Sequence, residues 1–233
     1  ARMTHLRKKL EAIRLKHSLR SPVSTESTEE RFEPRMATSV RLRIDSTLDG
    51  RPAQLDELEV WSNVPEPANV ALEEAGARAQ SSGHAVGGGA KLPDGVIDGR
   101  LKGDIFWRAS QEGSVWIQVD LVRPFSIDRV VWKGRDRKGV PADYQLQIRN
   151  VKPSPLIKGM DETWSTVATS RDRLPAYRDQ RTAEQFKLTQ VSAAELQTLA
   201  TFLSELSQLQ EEYDKLAEGP QVFSGDFEAA EEL

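Results

Sequence analysis

Alternating hydrophobic and polar residues mark the middle of the chain as a series of short β-strands. In SVRLRID, the apolar side chains of Val40, Leu42 and Ile44 alternate with polar ones, which is the period-two pattern of a half-buried strand. Other segments with strand character lie at residues 55–62, 69–72, 77–81, 114–121, 126–134, 142–150 and 163–170. Turns rich in Gly, Pro and Asp separate them, so the pattern predicts a mainly β protein built as a sandwich.

Two segments with helical periodicity flank the strands. Residues 3–19 carry apolar side chains at spacings of three and four. The segment 192–218 carries a stripe of leucines, and it begins with a capping box of Ser192 and Glu195. Because each stripe is narrow, each helix needs a partner helix, and we expect the two to pair as an antiparallel hairpin.

These patterns divide the chain into segments of different composition. They are an amphipathic helix (1–19), a linker (20–37), a β-sandwich (38–175), a second linker (176–191), a long amphipathic helix (192–218) and a tail (219–233) that begins a further segment. The first linker is assigned because residues 20–37 are polar and contain two prolines and a Ser/Thr/Glu cluster. Since residue 1 is not Met, we expect the chain to be a piece of a longer protein.

Composition narrows the possible functions. The net charge is -4 and the basic residues are dispersed, which argues against a nucleic-acid partner. The absence of cysteine excludes disulfides, thiolate metal sites, thiol nucleophiles and covalent haem attachment within this chain. No apolar run approaches ~20 residues, so the sequence predicts no membrane span.

Motifs of common enzymes are missing from the sequence. The histidines His5, His17 and His84 are scattered and have no metal-ligand spacing. A GxSxG elbow, a phosphate-binding loop and a GxGxxG motif are all absent. We therefore expect a protein that is not an enzyme.

Two loops carry candidate chemistry. In LPDGVIDGRLKGD, Asp94, Asp98 and Asp104 are able to bind a hard cation such as Ca²⁺ together with backbone carbonyls, or simply to cap their own turns. The turn WKGRDRKG (132–139) has the charged residues to bind an anion or sugar hydroxyls. The same composition is typical of an ordinary solvated hairpin loop without a ligand.

The tryptophans divide into two predicted groups. Trp116, Trp132 and Trp164 lie within strand patterns and are predicted to be core residues. Trp107 follows the KGDIF loop, and we expect it at a rim, where an amphipathic ring suits the face of a sugar.

The order of several motifs resembles a discoidin domain, also called the coagulation-factor C-type domain. The matching runs are NVAL (69–72), VIDGRLKGDIFW (96–107), WIQVDLVRPFSIDRVVW (116–132), DYQLQI (143–148) and ETWSTV (162–167). Together they cover roughly residues 63–170, and their order makes the resemblance specific. The resemblance implies a jelly-roll β-sandwich of galactose-binding type that acts as a binding module.

The order of strands differs from the family pattern. The family's strands of the type RYVRI and ELEVY normally end the domain. Here the similar segments SVRLRI (39–44) and LDELEVW (55–61) precede the rest. Because the termini of a domain often lie close together, we expect a circular permutation.

The resemblance also implies site residues. Family members often hold Ca²⁺ in the DG…W loop with help from the Glu of the ELEV strand, although Ile105 and Phe106 stand here where the family has Thr or Ser. The candidate calcium ligands are Asp98, Asp104, Glu57 and Glu59. Family ligands bind at loops at one end of the sandwich, and the candidate ligand-binding residues there are His84, Trp107, Arg135, Asp136 and Arg137.

The expected function is that of a non-catalytic glycan-binding module within a larger periplasmic or extracellular protein. The alternative is a structural or docking domain whose partner is another protein subunit. LDELEVWS…NVAL and the tail LAEGPQVFSGDF resemble large planctomycete cytochrome-c-like proteins. That resemblance implies cytochrome-containing domains elsewhere in the full-length protein as further partners, with no haem in this chain.

Overall fold

A computed structural model describes residues 2–86, 91–150 and 164–218. Within these ranges the chain forms two α-helices and eight β-strands. They are α1 (Arg2–Lys16), β1 (Ser27–Thr47), β2 (Gln54–Leu55), β3 (Glu57–Ser62), β4 (Arg78–Ser81), β5 (Trp107–Arg108), β6 (Val115–Lys133), β7 (Pro141–Arg149), β8 (Ser165–Thr169) and α2 (Ala193–Glu218).

Strand β1 lies at the centre of the sheet. The strands are antiparallel and follow the order β3-β6-β1-β7-β8, with β4 also paired to β6. β1 pairs with β6 from Ser27 to Ile44, and its second half pairs with β7 on the other side. Register shifts between Arg31 and Ser39 interrupt the β1–β6 ladder, and irregularities of this kind allow long strands to bend. β3 pairs with the second half of β6, and β4 pairs with its first half. The two halves of the long strands β1 and β6 therefore belong to the two layers of the sandwich.

The core lies between these layers. Val40, Leu42 and Ile44 of β1 are fully buried, and apolar residues from both halves of β6 belong to the same cluster. The rings of Trp132 and Tyr144 meet edge to face with centroids 4.8 Å apart. The mainly β sandwich class that the sequence predicts is therefore confirmed.

A buried carboxylate joins the start of β1 to the rest of the sandwich. Glu30 is fully buried and accepts hydrogen bonds from the Arg173 Nε at 3.0 Å, from the Arg20 guanidinium and from the Tyr144 hydroxyl. Burial, together with the charge of Glu30, raises the pKa of Tyr144, so the phenol stays a hydrogen-bond donor. The network joins three parts of the chain, namely the segment before β1, the strand β7 and the segment after β8.

The two helices pack against each other in antiparallel orientation. The Arg2 guanidinium contacts Glu205 near one end of the pair, and the Lys16 Nζ lies 2.5 Å from Glu195 at the other. The leucines buried between them are Leu6, Leu10, Leu199, Leu203 and Leu206. This pairing agrees with the predicted hairpin, and α2 begins with the predicted bonds between Ser192 and Glu195. Neither helix of the described ranges is long and apolar enough to cross a membrane.

The prediction of a linker over residues 20–37 is wrong for its second part. Residues 27–37 are the first half of β1, in which Thr28 and Glu30 are buried while Ser27 and Glu29 are exposed. The sequence does not show this alternation because the buried positions are polar. Glu30 can be buried there because two arginines neutralise its charge.

Other predicted boundaries also shift. The second predicted linker, 176–191, contains a 3₁₀ turn at Ala183–Gln185 and contributes Phe186, Leu188 and Val191 to the helical cluster. The strand predicted at 69–72 is reduced to a single bridge between Trp61 and Asn69. The predicted tail at 219–233 lies outside the described residues.

Replacing Arg173 with Met should destabilise the fold strongly. The substitution leaves the buried Glu30 carboxylate with Arg20 as its remaining ionic partner and removes the hydrogen bond that Arg173 donates to it. Removing one partner of a buried ion pair costs about 3–5 kcal/mol of unfolding free energy. Urea unfolding of Arg173→Met measures this loss. Arg171→Met, at an exposed arginine two residues away, is the matched control and should change stability by less than about 0.5 kcal/mol. Equal effects of the two substitutions would contradict the assigned role of Glu30.

Candidate functional site

The face of the sheet opposite the core is covered with polar side chains. Because successive side chains of a strand point to opposite faces, the neighbours of Val40 and Leu42 point away from the core. These residues lie opposite one another across β4, β6, β1 and β7. One row contains Gln80, Gln118, Arg41 and Gln147, and the next contains Arg78, Asp120, Ser39 and Arg149.

A groove of about 530 Å³ runs over this polar face. Its volume falls within the roughly 300–1,000 Å³ that is typical of small-molecule sites. Its lining residues are Thr38, Ser39, Arg41, Gly76, Arg78, Gln80, Trp116, Gln118, Asp120, Leu121, Val122 and Arg149. We refer to it as the sheet-face groove.

A stack of aromatic and guanidinium groups lies at the groove. The Arg41 guanidinium carbon is 4.5 Å from the ring centroid of Trp116 and 4.0 Å from that of Trp164. Arg41 also donates from Nε and Nη2 to the side-chain oxygen of Gln118, at 3.2 and 2.7 Å. These contacts restrict the orientation of the half-buried Trp116 indole that lines the groove.

Asp120 is the centre of a hydrogen-bond network on the same face. Its Oδ1 accepts from the Ser39 hydroxyl at 2.7 Å and from the Gln118 amide at 2.8 Å, and its Oδ2 accepts from the Gln80 amide at 2.7 Å. The Arg149 guanidinium lies 3.8 Å from Oδ1 and donates to the Ser39 hydroxyl. The polar groups of the groove are therefore held in place before any ligand binds.

Sequence reasoning missed this groove and misplaced two tryptophans of the polar face. Trp116 and Trp164 are half-buried at the polar face, so their predicted position in the core is wrong, whereas Trp132 is a core residue as predicted. The alternation in β1 and β6 did indicate that Arg41 and Gln118 face away from the core. It did not indicate that distant strands bring them together.

Trp107 is not at a rim, and this prediction is also wrong. The residue is fully buried, and its indole N–H donates to the carbonyl of Gly83 at 3.3 Å. Trp107 lies on the short strand β5, and its pairing opposite Leu55 of β2 places both residues in the core.

The other predicted ligand-binding residues differ in their contacts and in their exposure. Arg135 is held by the buried Asp56 at 3.1 Å and lies over the ring of Phe106. The Asp136 carboxylate accepts the backbone N–H of Lys138 within its own turn, while Arg137 is exposed. His84 is exposed on another loop, and no hydrogen bond or ion pair within the described ranges joins it to residues 135–137.

The four predicted calcium ligands are only partly brought together. Glu57 lies beside Asp98, but the Glu59 carboxylate contacts the Lys133 ammonium and the Trp61 indole N–H instead. Asp104 is exposed. Among the residues that the structure describes, no group of three or more His, Cys, Asp or Glu side chains is arranged to hold a metal ion.

Glu57 nevertheless has the character of a cation ligand. Its side chain is buried, and its Oε1 has no hydrogen-bond partner within the described part of the chain. Burial, with a further contribution from Asp98, raises the pKa of Glu57 to about 8. A divalent cation between these two carboxyl groups would satisfy the buried oxygen.

Comparison with known families supports the fold assignment. Residues 95–196 match the F5/F8 type C family model described as a NedA-like, galactose-binding domain. The match begins just before Asp98 and covers β5 to β8, whereas β1 and β3 precede it. A search of curated proteins finds no significant match. Residues 95–196 are therefore similar to galactose-binding-like domains of the discoidin type.

The stability of the metal-free protein should depend on the protonation of Glu57. The pKa of Glu57 rises from an ordinary value of 4.5 to about 8 on folding, so the folded state keeps a proton that the unfolded state loses. Stability should therefore fall as pH rises from about 4.5 to 8, and Glu57→Gln should remove this part of the loss.

Thermal unfolding in EDTA at pH 5 and pH 8 tests the prediction. Glu57→Gln should raise the melting temperature at pH 8 relative to the wild type, and the difference should be smaller at pH 5. Glu112→Gln, at an exposed position, serves as the control and should behave like the wild type at both values. A Glu57→Gln effect that is independent of pH would contradict the raised pKa.

Proposed function

We propose that this protein is a non-catalytic carbohydrate-binding module whose ligand lies in the sheet-face groove. Domains of the matched class are binding modules rather than catalysts, and the family description names galactose. The observation that carries the proposal is the half-buried Trp116 in a groove lined with hydrogen-bonding side chains.

The groove provides the two kinds of contact that a sugar needs. The apolar C–H face of a pyranose ring packs on an indole, and Trp116 is the tryptophan that lines the groove. Sugar hydroxyls both donate and accept, and the amides of Gln80 and Gln118 and the carboxylate of Asp120 offer both functions. Because Asp120 already fixes these amides, less conformational entropy is lost when a ligand binds.

We further propose that Glu57 and Asp98 hold a structural Ca²⁺. The support is the buried, unpartnered Oε1 of Glu57 beside a second carboxyl group. A bound cation favours the ionised form of Glu57 and would stabilise the loop that follows Asp98. The ion has no role in catalysis in this proposal.

Added Ca²⁺ should stabilise the wild type through this pair. A ligand that binds only the folded state stabilises it by RT ln(1 + L/Kd), where L is the free ligand concentration, so above the dissociation constant the melting temperature rises with the logarithm of the ligand concentration. Differential scanning fluorimetry at pH 7 with increasing CaCl₂ measures the rise, which Glu57→Gln should abolish and Glu112→Gln should retain. An equal rise in all three proteins would contradict the proposed ligands.

We also infer that the domain is circularly permuted. β1 and β3 carry the segments that resemble the last strands of the family, and they precede the matched range. Both strands pair with β6, which lies inside that range. The docking alternative, the cytochrome-containing context and the periplasmic or extracellular location stay predictions from sequence.

Replacing Trp116 with Ala should weaken glycan binding. We expect at least a tenfold loss of affinity for galactose-containing oligosaccharides, or about 1.4 kcal/mol, because aromatic residues in the centre of a site dominate binding. Isothermal titration calorimetry measures the loss. Trp61→Ala is a matched control, since Trp61 is also half-buried and stacks on an arginine, Arg129, but does not line the groove.

Two results would overturn the proposed site. One is unchanged affinity in Trp116→Ala, and the other is an equal loss in Trp61→Ala. Amide NMR spectra of both variants distinguish loss of binding from loss of the fold.

A further inference from the structure

The sheet-face groove is positively charged within an acidic protein. Its described lining contains three arginines, Arg41, Arg78 and Arg149, and one carboxylate, that of Asp120. The chain as a whole has a net charge of -4. Basic groups concentrated in one concave surface focus the electrostatic field and attract anions.

Asp120 does little to offset this charge towards a ligand. Its two oxygens accept three hydrogen bonds, from Ser39, Gln118 and Gln80, and it also has the Arg149 guanidinium at 3.8 Å. The neutral donors solvate the carboxylate and the Arg149 guanidinium offsets its charge, which leaves Arg41 and Arg78 as the net positive charge of the described lining. Asp120 therefore serves mainly to orient the neighbouring donors.

Arg78 is the arginine of the groove that is best placed to receive a ligand. It lies exposed on β4, directly opposite Asp120 in the β4–β6 pairing. Its side chain makes no hydrogen bond or ion pair with any residue of the described ranges. A guanidinium presents a planar fork of N–H donors, and this fork matches a carboxylate or sulfate group with two parallel hydrogen bonds.

We propose that the groove selects acidic glycans, with the carboxylate or sulfate of the sugar bound by Arg78. This inference rests on the proposed function, since it names the class of sugar that the same groove takes. The sugar ring packs on Trp116 and its hydroxyls bind the fixed amides of Gln80 and Gln118. The fixed positive charge of Arg41, stacked beside Trp116, adds to the attraction.

The test compares three ligands of similar size. They are a neutral galacto-oligosaccharide, an oligogalacturonate that carries carboxylates, and a sulfated galacto-oligosaccharide. Calorimetric titrations at low salt should show the acidic ligands binding roughly tenfold or more tightly than the neutral one. Comparison of the carboxylated and the sulfated ligand shows which anion the groove prefers. The affinity for both acidic ligands should fall towards that for the neutral ligand as the salt concentration is raised, because salt screens exposed charges.

The variant Arg78→Gln isolates the anion contact. It should lower affinity for the acidic ligands at least tenfold and change affinity for the neutral ligand much less, because only the acidic ligands carry the group that Arg78 binds. Arg137→Gln is the matched control, since Arg137 is exposed but lies on the 135–137 turn, and it should bind all three ligands like the wild type.

The outcomes separate this inference from the proposed function. Equal affinity for neutral and acidic ligands, or an equal loss of both in Arg78→Gln, overturns the acidic preference while glycan binding stands. If Arg137→Gln loses as much affinity for the acidic ligands as Arg78→Gln does, the attraction is a general effect of charge, and the proposed role of Arg78 is overturned. If none of the three ligands binds, the proposed function itself is contradicted.

Discussion

The register of β1 between β6 and β7 is the constraint on which the rest of the structure depends. Val40 and Leu42 are buried on one face of this strand, and Ser39 and Arg41 line the groove on the other. Because side chains alternate, a slip of one residue would place Arg41 in the core and Val40 in the groove. The hydrophobic core and the candidate ligand site are therefore fixed by the same pairing.

The first half of β1 is held differently from the second. It has few apolar side chains to bury, and its key buried residue is Glu30, which binds Arg20, Arg173 and Tyr144. Buried ion pairs add little net stability, but breaking one is costly. The network joins the segment that follows α1 and the segment that follows β8 to the first half of β1.

Sequence patterns predicted the parts of the fold that follow from local alternation and family resemblance. These include the second half of β1 and the helical hairpin. The segments predicted as two strands at 114–121 and 126–134 are also extended, but they form the single strand β6 without a turn between them. Residues 27–37 were missed because a buried Glu30 looks like a solvent-exposed residue until its partners are known. Trp107 was misplaced because its direction depends on the short β2–β5 pairing. The groove was missed because it combines residues of four strands, none of which carries a recognisable motif alone.

The indole N–H signals of the five tryptophans offer the most direct test of where the ligand binds. Each tryptophan gives one resolved resonance in a ¹⁵N-labelled sample, and assignment by single substitution is straightforward. Titration with an acidic galacto-oligosaccharide should shift the signals of Trp116 and Trp164 and leave those of Trp61, Trp107 and Trp132 in place. Shifts at Trp107 without shifts at Trp116 would place the ligand at the loop end of the sandwich and contradict the groove.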